Sequence, residues 1–231
     1  MHLSRLVSLF SLVISLAAGQ SAPRLQEPWE TGYSKDDAIG AAVLGYWKFD
    51  GGDALKDSSG KGNDLTLHGA VPIAKGKWGG GLESFAGYPV QDKDHSAHTM
   101  AKPRLSPRGA FTIEMWIKAK AEFEPTLRAF LLDQKDVDHA DYQWTLGEAD
   151  KAGQRCMAVN LGFGTESQLF HSAPMKLGVG EWHHVAFTYD GAGEVRFFAD
   201  GQALGVAKHA GCGPVVPGTK ALSLGDRLGS N

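Results

Sequence analysis

Several things are scarce in this sequence of 231 residues, and each scarcity closes a route. Acid and base nearly cancel, with a formal net charge of -3 and an isoelectric point near 6.3, so no basic surplus exists to neutralise a phosphate backbone. Nucleic acid is therefore not an expected partner. Past residue 18 no apolar run approaches the roughly 20 residues that span a bilayer, and no long apolar helical stretch occurs, which argues against a membrane span and a helical bundle. No cysteine closely follows the apolar leader, so a lipidated N-terminus is not indicated. A Gly-x-Ser-x-Gly elbow and a phosphate-binding loop are both missing. Cysteine occurs twice, at Cys156 and Cys212, too far apart for a metal-site spacing.

Glycine is plentiful instead. Thirty glycines and ten prolines, with 42% hydrophobic residues, describe many short strands joined by tight turns. At the N-terminus, Met1 to Arg5 is short and positive, Leu6 to Ala18 is apolar apart from serines, and Ala17-Ala18-Gly19 supplies the small residues a signal peptidase reads. Residues 1–19 are read as a signal peptide, and the protein is expected to be secreted, extracellular or periplasmic, with no membrane span after cleavage. In an oxidising compartment Cys156 and Cys212 are expected either to pair or to remain as two inert thiols. Residues 20–40 are polar, contain Pro23 and Pro28, show no alternation of apolar residues, and read as a linker or arm. Residues 41–231 form one domain.

Within that domain, Val43 to Phe49 reads as a strand, with Trp47 and Phe49 on one face. The clearest strand is Phe111 to Lys118: Phe111, Ile113, Met115 and Ile117 share the core face, and Thr112, Glu114, Trp116 and Lys118 share the other. Trp182 to Tyr189 and Val195 to Asp200 bracket Asp190-Gly191-Ala192-Gly193, a hairpin turn that needs positive φ angles. Further strands are expected at Leu65 to His68, Leu82 to Phe85, Phe130 to Asp133, Tyr142 to Leu146, Arg155 to Phe163, Gln168 to Ser172 and Leu222 to Gly225. Many short antiparallel strands, each with one apolar face, are best satisfied by two sheets packed face to face.

Several clusters suggest chemistry. Asp50, Asp53, Asp57, Asn63 and Asp64 lie among glycines, a supply of hard oxygen ligands for calcium, with Asp50, Asp57 and Asn63 as candidate ligands. The same residue types also serve simple chain reversal. Glu114 and Trp116, with Trp182, His184, Arg196 and Phe198 from the hairpin, fall on faces away from the core. There an aromatic ring can stack on a sugar and a carboxylate can accept hydroxyl hydrogen bonds, unless a neighbouring strand covers them. His183 and His184 are adjacent on a strand, so they face opposite ways and cannot share a metal.

Five segments in order carry a resemblance: Gly45-Tyr46-Trp47-Lys48-Phe49-Asp50, then Asp57 to Asp64, Gly76-Lys77-Trp78-Gly79-Gly80, Phe111 to Trp116, and Trp182 to Gly191. Together, over about residues 41 to 225, they resemble the LamG-like jelly-roll group of the concanavalin A-like lectins and glucanases. The resemblance implies an all-β, two-sheet antiparallel jelly-roll sandwich used as a non-catalytic extracellular recognition module, often for glycans, sometimes with calcium. It also implies a strand after Leu222 to Gly225 that this sequence does not contain, leaving the Val43 to Phe49 strand with an unpaired edge. Two other roles stay open: a structural or protein-docking domain, and an atypical glycoside hydrolase. Glucanases of the superfamily carry a Glu-x-Asp-x-x-Glu strand motif, and the nearest echo is Asp136-Val137-Asp138-His139-Ala140-Asp141, in a stretch too polar for a packed strand. Glycan or extracellular protein is the expected partner.

Overall fold

The computed structural model describes residues 40–84, 87–89, 95–101, 105–135 and 138–228. The expected signal peptide and all but the last residue of the arm lie outside them. Alternation at period two produces strands throughout, because each pleat sends successive side chains to opposite faces. They are β1 (Leu65–His68), β2 (Val71–Ile73), β3 (Gly81–Glu83), β4 (Ser96–Thr99), β5 (Phe111–Lys118), β6 (Ala129–Asp133), β7 (Tyr142–Leu146) and β8 (Gln154–Arg155). The second half adds β9 (Met157–Gly162), β10 (Ser167–His171), β11 (Met175–Lys176), β12 (Trp182–Tyr189), β13 (Glu194–Ala199), β14 (Gln202–Lys208) and β15 (Ser223–Leu224).

Two sheets dominate. A seven-stranded antiparallel sheet runs β1-β4-β15-β6-β7-β9-β10, and a four-stranded one runs β14-β13-β12-β5. Short β2-β3 and β8-β11 ribbons complete the described strands. Strand β15, near the end of the described chain, sits in the middle of the large sheet, with Ser223 opposite both His98 and Asp133. The sheets pack through Trp144, Val159, Leu161 and Phe170 on one side and Val185, Phe187, Val195 and Phe197 on the other, all buried in one cluster. The Trp144 and Phe187 rings meet edge to face with centroids 5.0 Å apart. This is the expected jelly-roll sandwich.

The β12–β13 hairpin turns where the glycines predict. Gly191 and Gly193 have φ of 80° and 103°, and Asp190 Oδ1 accepts from the backbone N–H of Ala192 and Glu194. Strand bounds at β1, β5, β7 and β12 match the alternation residue for residue. Arg155 to Phe163 divides at Cys156 into β8 and β9, and β2, β4, β11 and β14 escape prediction.

One expectation is overturned. Val43 to Phe49 joins no sheet. The segment is held by bonds that involve side chains and by a backbone bond outside any ladder: Asp57 Oδ1 accepts from Tyr46 N–H, Asn63 Nδ2 donates to Leu44 C=O, Trp47 Nε1 donates to Asn63 C=O, and Ser58 N–H donates to Tyr46 C=O. At Phe49 the backbone enters the left-handed region, with φ 60°, and leaves the extended form. Trp47 and Phe49 do share an apolar face: Trp47 packs against both core clusters and Phe49 against the smaller one around Leu65, Ala70 and Ala97.

Candidate functional site

The outward face of the four-stranded sheet is built by register. Antiparallel pairing places Glu114 beside Ala186, Trp116 beside His184, and Lys118 beside Trp182, so β5 and β12 present one continuous row of polar and aromatic groups to solvent. The Trp116 and His184 rings lie 5.3 Å apart, and His184 Nε2 stands 3.4 Å from Glu114 Oε2. Lys118 Nζ lies 5.1 Å from the Trp182 ring centroid. Next in line, β13 places Phe198 beside Ala186 and Arg196 beside Thr188.

Arg196 shares the face but not the cluster. It sits two strands from β5 and four residues along the ladder from His184's row, about 13 Å away along the strand direction alone. Its guanidinium Nε donates to Glu194 Oε1 at 2.5 Å. Glu194 also pairs with Lys208, and these two cation hydrogen bonds hold its carboxyl below the usual range.

A fifth group, not nominated from the sequence, completes the cluster. Trp78 is 72% exposed, and its ring meets Trp116 edge to face at 4.9 Å. The β2–β3 loop carries it. Glycine is obligatory there: a Cβ on Gly76 would lie 1.6 Å from Gly80 O, and one on Gly80 would lie 1.8 Å from Phe49 O. Gly80 N–H donates to Asp50 Oδ1, which anchors the loop. Lys77, from the same loop, brings its Nζ 4.6 Å from the Trp116 ring centroid. The sequence signal was a tryptophan outside any alternating strand, flanked by glycines.

The remaining candidates resolve differently. Asp57 organises a turn: it accepts hydrogen bonds from the backbone N–H of Tyr46, Ser59 and Asn63 and from Asn63 Nδ2. Burial pushes its pKa up, but hydrogen bonds from Ser59, Asn63 and Tyr46 outweigh it and leave the carboxyl below its ordinary value. Asp50 is engaged elsewhere, by Gly80. Asn63 Oδ1 is buried without a donor, but one amide oxygen falls far short of the roughly six to eight that calcium takes. Among the described residues no three His, Cys, Asp or Glu side chains are placed to hold a metal. The residues present therefore do not fit a calcium cage.

His183 and His184 diverge as alternation requires: His183 Nδ1 lies 2.8 Å from Asp200 Oδ2, whereas His184 joins the Trp116 cluster. Asp200 also accepts from His184 N–H, and against the opposing effect of burial these bonds keep it ionised more readily than usual. Of the Asp136 to Asp141 echo, Asp136 and Val137 lie outside the described residues. Asp138 is exposed, while Asp141 is fully buried, accepts from Gly218 N–H, and has its pKa raised by burial against hydrogen bonds from Ser106 and Gly218. The two are not neighbours on a strand face.

Of the two outcomes expected for the cysteines, the structure has the unpaired one. Cys156 and Cys212 are free thiols. Cys156 sits between β8 and β9 near Asp150, and Cys212 lies after β14 near Gly193 and Glu166, so different elements surround each. Burial first, then those carboxylates, raises both thiol pKa values.

A family profile described as concanavalin A-like lectin/glucanases superfamily matches residues 92–231. The chain belongs to that superfamily. Among solved structures it is similar to the binding domain of Paraclostridial Mosquitocidal Protein 1 (TM-score 0.57, 12% identity, 78% of this chain and 44% of that one). It is also similar to the botulinum neurotoxin serotype C1 binding domain (0.59, 12%, 79% and 42%). A third is domain 4 of AbnA, a GH43 extracellular arabinanase from Geobacillus stearothermophilus, in complex with arabinotriose (0.55, 18%, 80% and 83%). At these identities the likeness is one of superfamily fold. The chain spans less than half the length of the two toxin domains it matches. No curated protein matches at the level of sequence.

Proposed function

We propose that this superfamily member is a secreted, non-catalytic binding module whose carbohydrate site is the outward face of the four-stranded sheet. Trp116 and Trp78 supply ring faces and edges for the apolar side of a pyranose or furanose, and Glu114 and His184 supply hydrogen-bond partners for its hydroxyls. Trp182 extends the platform at one end. The observation that carries the reading is the convergence of Trp78, Trp116, His184 and Glu114 on one solvent-facing patch of a rigid sheet. The arabinotriose complex of the AbnA domain is a precedent on a similar fold. Hydrolysis is disfavoured because a retaining glycosidase needs two carboxyl groups about 5 Å apart, and Glu114 faces a histidine rather than a second carboxylate.

A glycan array probed with the folded chain, with and without calcium, tests the proposal. Binding to a saccharide class, weakened on the order of 30-fold by W116A and unchanged by chelator, supports it. A folded chain silent on every glycan overturns it. Export is tested separately: intact mass from an exporting host should begin within a few residues of Gln20, and retention of Met1 to Ala18 overturns secretion through this leader.

A further inference from the structure

The tryptophan patch carries its charge unevenly. Along β5, Glu114, Trp116 and Lys118 share the outward face, so an acid and a base flank the Trp116 ring, each about 7 Å away along the strand. Glu114 faces His184 Nε2 at 3.4 Å. The neighbouring carboxylates are engaged as well: Glu83 pairs with Lys120, Asp50 accepts from Gly80 N–H, and Glu194 takes both Arg196 and Lys208. Asp190 caps the hairpin turn, and Asp200 and Glu181 face His183. Lys77 and Lys118 are the exception. Both are exposed, and among the described residues neither meets a carboxylate. Each rests on an indole instead: Lys77 Nζ lies 4.6 Å from the Trp116 ring centroid and 5.8 Å from that of Trp78, and Lys118 Nζ lies 5.1 Å from that of Trp182.

This placement sets up a competition for the ring. A sugar stacks on an indole through its apolar face, and Lys77 already stands over Trp116. A neutral sugar must displace the ammonium and offers it only a hydroxyl in return. An anionic group offers it a charge-assisted hydrogen bond, which is stronger than a cation–π contact at an exposed position, so the charge of the ligand draws Lys77 aside and uncovers the ring. We propose that this face takes an acidic glycan, whose carboxylate or sulfate groups meet Lys77 and Lys118 while its hydroxyls meet Glu114 and His184. The inference rests on the reading of the face as a carbohydrate site and adds the charge of the ligand to it. Lysine, a compact point charge on a flexible stem, serves either anion. Glu114 sets the direction, since it repels an anionic group at the end of the row opposite Lys118.

The test titrates the whole chain with oligomers of galacturonic acid, with their methyl esters, which keep the ring and lose the charge, and with a sulfated oligogalactan. The acid should bind roughly tenfold more tightly than the ester at low salt, the gap closing as ionic strength rises. K77Q and K118Q, both at exposed positions, should each weaken the acid about fivefold, and K77Q should tighten the ester by freeing the Trp116 ring. W116A should weaken every saccharide that binds. Whichever of the uronate and the sulfated oligomer is held more tightly names the preferred anion. Acid and ester bound alike, the sulfated oligomer no tighter, and all weakened by W116A would overturn this inference and leave the carbohydrate site standing. A preference for the acid that survives the double substitution K77Q/K118Q overturns it too. Silence toward all three probes and toward a panel of neutral glycans overturns the inference and the carbohydrate site together.

Discussion

Strands β5 and β12 lie side by side for eight residues and face the same core, yet one is sealed and the other open. On β12, Val185 and Phe187 are 0% exposed and Tyr189 1%. Their partners in register, Met115, Ile113 and Phe111, are each only partly buried. Both rows are apolar and both alternate, so the difference does not come from either strand's own residues. It comes from what lies beyond the far edge: β13 for β12, a cavity for β5. Burial here is a property of the neighbourhood, and a strand's pattern specifies only which face seeks it.

The comparison breaks or sharpens under substitution. Phe187→Ala on the sealed strand should destabilise by about 3–5 kcal/mol in urea denaturation, because close-packed neighbours including Trp144 cannot collapse into the space. Asp57→Ala should cost about 2–3 kcal/mol and loosen the Val43 to Phe49 segment, since it strips the acceptor from Tyr46, Ser59 and Asn63. Ile113→Ala, beside Phe187 in register, should cost about 1–2 kcal/mol, the transfer of a group only partly withdrawn from water. Equal losses at 113 and 187 would mean that the open flank is sealed in solution.

A pH titration probes the large sheet. On β4, burial first and the stacked His68 ring second push the His98 pKa down from 6.5 to about 4. Between those values the unfolded chain holds a proton that the folded chain does not. Stability is therefore complete above about pH 6.5 and declines as pH falls toward 4, by on the order of 1 kcal/mol for a half-exposed group. His98→Leu should flatten that part of the profile. The smallest effect expected is none: with Cys156 and Cys212 free, reductant should leave the melting temperature unchanged, and a thiol reagent should titrate both once the chain is unfolded.

Legibility tracked alternation. Strands β5, β7 and β12 could be read because their apolar residues recur at period two over five to eight residues. The edge strand β14 escaped because Gln202 to Lys208 is all exposed or half-exposed, and the two residues it packs in part against the core, Leu204 and Ala207, stand three apart and not at the strand's period of two. Val43 to Phe49 misled for the opposite reason: Trp47 and Phe49 alternate and pack, but side-chain hydrogen bonds to Asp57 and Asn63 supplied what a ladder would have. At the candidate site, Glu114, Trp116, Trp182 and His184 were legible as one face. Trp78 was not, because its meeting with Trp116 depends on how a glycine-rich loop folds over Asp50.

The sequence by itself determined the all-β class, the hairpin at Asp190 to Gly193, and which face of each main strand turns inward, since these follow from local sterics and the two-residue repeat of the pleat. Tertiary structure alone decided that β15 inserts between β4 and β6, that Arg196 stands apart from the tryptophan cluster, that the two thiols do not meet, and that β5 borders an open slot. Each of these depends on pairing between residues distant in the chain. The period of a strand fixes the direction of its side chains but carries no record of which strand lies beside it.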